Sequence, residues 1–254
     1  MAFSSSNPLS SSERILKASR EHALENTGVF AVKGACSKAG IMLGLCLLSV
    51  IVTYAQLASG SSLSAVVMIG ALIGSMAAYF AGLIVPGIAM VCGPVYAVCE
   101  GVLLGSFSSY VDSRFGKGLS IYALIGTVSI AGIIFAGYTS GFFKVTEKLK
   151  SIVITMGFAL FVTYLANFIL GFWGHNFTSI TDVSLLGFAI NIVSLAIGCF
   201  YLLIDFDEVY NLDGNADKRY EWVWGMGFLA SVVWVYIEIL KLLVKISTLL
   251  NGDD

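Results

Sequence analysis

Among the ionisable side chains in or against stretches of this sequence otherwise fit for lipid are Glu100, Asp205, Asp207, Glu208, Glu238 and Lys241. A carboxylate at a membrane helix centre costs about 2.5–3.5 kcal/mol on insertion scales. Each of these groups therefore either marks a helix end or has a task inside. The chemistry open to such acids is narrow. Two carboxylates close together in low dielectric cannot both ionise cheaply, so they share a proton and titrate as one unit. The same oxygens are the hard ligands that calcium prefers.

Asp205 closes the sixth apolar run, in Ile204-Asp-Phe-Asp-Glu-Val209. Phe206, Val209 and Tyr210 continue an apolar stripe, which predicts a helix for about one further turn. On that helix Asp205 and Glu208 share a face and Asp207 points away. The bland alternative places these charges at the headgroup level. Glu238 lies deep in the last run, about 24 Å along a helix from Trp222. Lys241, three residues on, can meet it on one face, so an intrahelical pair is the structural alternative. Glu100 lies in mid-run and is expected to hydrogen-bond to other helices, in a structural role or along a permeation path. Asn167 and Asn191 are read as helix-contact groups.

Catalytic patterns are missing. There is no His-Glu-x-x-His, no Gly-x-Ser-x-Gly and no phosphate-binding glycine loop. An intramembrane aspartyl protease would want a Gly-x-Gly-Asp context, which is also absent. His22 and His175 are too few for a zinc site. The five cysteines lie in or beside apolar runs and read as small hydrophobes. No enzyme and no cofactor are expected.

The elements that must position these acids follow from composition. Of 254 residues, 57% are hydrophobic and 12% charged, against about 25% charged in ordinary globular domains. Mean hydropathy is +0.89. A net charge of −2 gives no reason to expect nucleic acid as a partner. A spanning helix needs about 20 mostly apolar residues. Seven runs meet that length: 39–57, 64–85, 88–110, 119–138, 152–173, 183–204 and 222–246. They are continuous, not alternating, which argues against a β-barrel. The expected class is an all-α integral membrane protein, with a polar cytoplasmic tail over 1–38 and a seven-helix transmembrane domain over 39–250. Within the tail, Ser11 to Glu25 reads as either a short surface helix or an unstructured stretch.

Basic residues set the orientation. Arg14, Lys17, Arg20, Lys33, Lys38, Lys144, Lys148, Lys150, Lys218 and Arg219 fall on one side of a seven-span chain. Arg114, Lys117, Lys241 and Lys245 fall on the other. The amino terminus is therefore expected in the cytoplasm and the carboxyl terminus outside, unless the last run re-enters. Asn176-Phe-Thr is a glycosylation acceptor only in a eukaryotic secretory pathway. Glycines four apart (Gly40/Gly44, Gly70/Gly74, Gly101/Gly105) predict close helix approach within one bundle, with dimerisation as the alternative. Pro94 is expected to kink or loosen the third span.

The order of these features resembles the Bax inhibitor-1 family, and most of all its bacterial branch. The matching stretches are Val32-Lys-Gly-Ala-Cys-Ser-Lys-Ala-Gly-Ile41, Pro94-Val-Tyr-Ala-Val-Cys-Glu-Gly-Val-Leu-Leu-Gly-Ser106, Ile204-Asp-Phe-Asp-Glu-Val209 and Trp234-Val-Tyr-Ile-Glu-Ile-Leu-Lys-Leu-Leu243. The resemblance implies a central last helix wrapped by six others. It also implies a proton-sensitive calcium leak gated by acids of spans six and seven, which fall here on Asp205 and Glu238. These two are then the pH-sensing and calcium-binding residues, with Glu100, Asp207, Glu208 and Lys241 auxiliary. The chain departs from the pattern in carrying Glu in span seven, a longer link between the acids, and no Lys or Arg between Lys38 and Arg114. Family members are also linked to a second role, a non-conducting membrane regulator that binds another membrane protein, such as a quality-control protease, in stress survival. The resemblance further implies a bacterial inner membrane. A proton-coupled carrier is a weaker third reading, since the spans show no inverted repeat.

Overall fold

The computed structural model describes residues 28–171 and 183–251. The Ser11–Glu25 stretch and the Gly174–Asp182 connection, with Asn176, lie outside them. Among the described residues seven helices are long and apolar enough to cross a membrane. They are α1 Val32–Ala58, α2 Ala65–Ile84, α3 Ala89–Arg114, α4 Leu119–Thr139, α5 Glu147–Gly171, α6 Leu185–Leu212 and α7 Tyr220–Asn251. A single 3₁₀ turn, Pro86–Ile88, leads α2 into α3. The shortest helix, α2, has 20 residues, about 30 Å of rise and enough for a hydrocarbon core. Among the described residues there is no β-strand, only one isolated antiparallel bridge between Val29 and Asp217. The expected all-α, seven-span membrane protein is what the chain forms.

Hydroxyl groups along these helices are satisfied locally, as a bilayer requires. Ser106, Ser108, Thr127, Thr155 and Thr163 each donate to the carbonyl four residues earlier. Helix α3 continues through Pro94 as one element. Several helices extend beyond their apolar runs: α1 starts at Val32 instead of near 39, and α5 at Glu147 instead of near 152. Helix α6 passes Asp205 and continues to Leu212, as the stripe of Phe206, Val209 and Tyr210 predicts.

The early start of α1 has a long-range cause. Its first residues carry no side-chain cap of their own. The Ala31 N–H instead donates to Glu221 Oε1 at 3.0 Å, and the Val32 N–H to Asp213 Oδ1 at 3.2 Å. Two carboxylates thus take up exposed helix donors and face the positive end of the helix dipole.

The described residues divide into two compact units. The first holds 28–110 and 205–230. Its seam on α1 is Ala35, Ala39, Met42, Cys46 and Thr53, about one residue per helical turn. Met42 reaches Gly93 and Gly225, where any side chain would displace it. A core of Phe30, Ala35, Ala39, Val209, Leu212, Ala216 and Trp224 closes the end of this unit. The second unit holds 111–171, 183–204 and 231–251. Val153, Ile197 and Ile204 form its core, with Tyr201 and Trp234 packed against them at 5.7 Å between ring centroids. Gly198 lets Trp234 and Val235 of α7 lie close to α6.

The paired glycines divide in behaviour. A methyl on Gly101 would meet the Cys46 carbonyl, and one on Gly105 the Val50 carbonyl at 2.7 Å. That pair does bring α3 against α1, as close packing predicts. Gly40, Gly44 and Gly70 face open space, and Gly74 meets only the Cys99 sulfur at 3.2 Å.

Candidate functional site

The polar centre of the second unit is built around Glu238, which is 2% exposed. Three helices supply its hydrogen-bond donors. From α5, the Tyr164 hydroxyl donates to Oε1 at 3.2 Å. From α6, Asn191 Nδ2 donates to Oε2 at 2.7 Å and to the Glu238 backbone carbonyl at 3.0 Å. From α7 itself, Lys241 Nζ donates to Oε1 at 2.6 Å. The ammonium also donates to the Tyr164 hydroxyl at 3.1 Å and lies 4.6 Å from the centre of that ring. Glu238, Lys241 and Tyr164 therefore close a ring of hydrogen bonds, and Asn191 locks the far oxygen. Asn191 is 3% exposed, and its Oδ1 has no hydrogen-bond partner among the described residues.

One turn beyond, Lys245 is also buried. Its ammonium donates to the Gly187 carbonyl at 2.5 Å and lies 5.8 Å from the centre of the Phe188 ring. Charge in a membrane interior is tolerated when paired and hydrogen-bonded. Removing one member of a buried pair leaves the other uncompensated, at a typical cost of about 3–5 kcal/mol.

The remaining predicted residues fall in the first unit. Asp205 and Glu208 are buried on α6 while Asp207 is more exposed, so the shared face is present. The Asp205 carbonyl accepts from Trp224 Nε1 at 3.0 Å, and Asp207 accepts from Asn211 Nδ2 at 2.8 Å. Glu100 on α3 accepts from the Ser75 hydroxyl of α2 at 3.1 Å, so it does bond to another helix. Lys241 and Glu238 are brought together. Each unit holds one member of the expected Asp205 and Glu238 pair. Among the described residues no group of three or more His, Cys, Asp or Glu side chains could hold a metal ion.

Two features escaped the sequence. Tyr164 has no charge or motif to mark it. Glu221 reads as a boundary residue ahead of an apolar run, yet it is 1% exposed. It binds the Ala31 N–H and forms an ion pair with Lys38, whose ammonium lies 5.5 Å from the centre of the Trp222 ring. Gly34 faces that carboxylate at a distance no Cβ would allow. A faint signal existed: Lys38 is the last basic residue before a 75-residue stretch with none.

Comparison with known proteins places the sequence. The profile described as Bax inhibitor 1 like matches residues 7–248. No curated protein matches the chain, and no solved structure does.

Proposed function

This chain belongs to the Bax inhibitor 1 like family, and on that premise we propose that it is a proton-sensitive calcium leak. The observation that carries the reading is the Glu238 carboxylate, sealed in a membrane helix and bound by donors from three helices. An ionised carboxylate accepts from all three. A proton on it removes acceptor capacity and weakens the Lys241 attraction. Proton occupancy is thereby coupled to how α5, α6 and α7 hold together. Asp205 is the second acid by family resemblance, buried on α6 and anchored through its carbonyl by Trp224. The family resemblance supplies the direction, loss of protons opening the path and protonation closing it, with the ionised Glu238 cluster holding α5, α6 and α7 together in the open form. Calcium and protons are the ions handled, in a bacterial inner membrane with the amino terminus in the cytoplasm.

Calcium uptake into liposomes containing only the purified chain, measured against pH, tests this. Wild type is expected to leak more as pH rises, and Asp205→Asn and Glu238→Gln to flatten that dependence. A wild-type dependence that survives unchanged in both variants would rule these acids out as sensors. The internal neutralisation of Glu238 by Lys241 favours a second reading, a non-conducting regulator that binds another membrane protein. Absence of flux from the folded, purified chain would favour that one.

A further inference from the structure

The Lys241 ammonium is the cation held against Glu238. It touches a carboxylate oxygen at 2.6 Å and a phenolic oxygen at 3.1 Å, and it lies over the face of the same ring. Glu238 is nearly sealed and Lys241 little exposed, at 3% and 15% for their side chains. The carboxylate thus meets its counter-charge inside the chain. A metal cation arriving at Glu238 would stand against that ammonium, and like charges a few ångströms apart in low dielectric repel strongly. The charges and titratable groups shown facing Glu238 are few: Tyr164 from α5 and Lys241 from α7, while α6 offers the neutral Asn191. The next charge along α7 is Lys245, a second cation.

We infer that Lys241 is the resident cation of this site and keeps calcium off Glu238. The vacated site of a Lys241 variant would offer calcium the Glu238 carboxylate and the Tyr164 hydroxyl, both hard oxygen donors. This deepens the proposed leak: Glu238 acts through its proton and its lysine, and a permeating calcium ion does not stop there.

The test is calcium binding to the purified full-length chain in detergent at neutral pH, read by titration calorimetry. Wild type and Glu238→Gln should give the same isotherm. Lys241→Met should bind calcium at least about tenfold more tightly than wild type, as expected when a cation beside a carboxylate is removed. Lys241→Arg should not, and adding Glu238→Gln to Lys241→Met should abolish the gain. A folded Lys241→Met chain that binds no more tightly than wild type overturns the inference. Should that variant fail to fold, wild type against Glu238→Gln decides. Calcium bound by wild type and lost in Glu238→Gln overturns it, and equal isotherms support it. These isotherms read the site whether or not the chain conducts, so a failed leak in liposomes leaves this result standing.

Discussion

At the scale of single residues, Glu238 shows how a membrane interior holds an acid. The carboxylate is not left to water or lipid; each oxygen has a donor, and one donor carries the compensating charge. The partners differ in what their loss removes. Asn191→Leu takes away bonds to both the carboxylate and the backbone carbonyl of Glu238, and is expected to destabilise the protein by about 1–3 kcal/mol. Tyr164→Phe keeps the ring beneath the ammonium and loses only the hydroxyl, for a smaller cost of about 0.5–1.5 kcal/mol. Thermal melting in detergent ranks the two, and a larger loss for Tyr164→Phe would mean that the hydroxyl, not the amide, holds the carboxylate. The legibility of this site followed sequence distance. Lys241 was readable because three residues on a helix share a face, and Asn191 was readable as a polar contact without a partner. Tyr164, 74 residues from Glu238, looks like any lipid-facing aromatic until the fold brings it there.

At the scale of elements, hydropathy located each spanning helix among the described residues but misplaced several ends. The ends of membrane helices are polar, and their caps need not be local. Helix α1 starts early because Glu221 and Asp213, about 180–190 residues later in the chain, take up its first N–H groups. Helix α6 runs past Asp205 because Val209 and Leu212 have a core to enter, formed with Phe30, Ala35 and Trp224. Glycine spacing was legible as a signal, but not in its outcome. Gly101 lies against the Cys46 carbonyl and Ser49, while Gly40 faces open space. Gly101→Ala should therefore cost about 1–3 kcal/mol through overpacking, and Gly40→Ala should be nearly neutral. Equal melting temperatures for the two variants would show that α1 and α3 approach less closely than their backbones indicate.

At the scale of the whole molecule, the number of spans fixes which connections share a membrane face. Within the first unit, the Phe30 N–H donates to the Ala216 carbonyl, Gly214 N–H to the Phe30 carbonyl and Lys218 N–H to the Gly28 carbonyl. The entry to α1 and the connection from α6 to α7 are therefore on the same face, which requires an even number of crossings between them. That is what α1 to α6 supply. The sequence offered the same parity through the clustering of basic residues, because Lys33, Lys38, Lys218 and Arg219 all attend this face. The absolute side rests on the same positive charges, which favour the cytoplasm. Single cysteines introduced at Asn176 and Asn215, in a chain stripped of its native cysteines, read out both points with an impermeant thiol reagent. The Asn176 position should label in intact cells, and the Asn215 position only after permeabilisation. The reverse pattern would invert the orientation, and equal labelling of both in intact cells would break the parity.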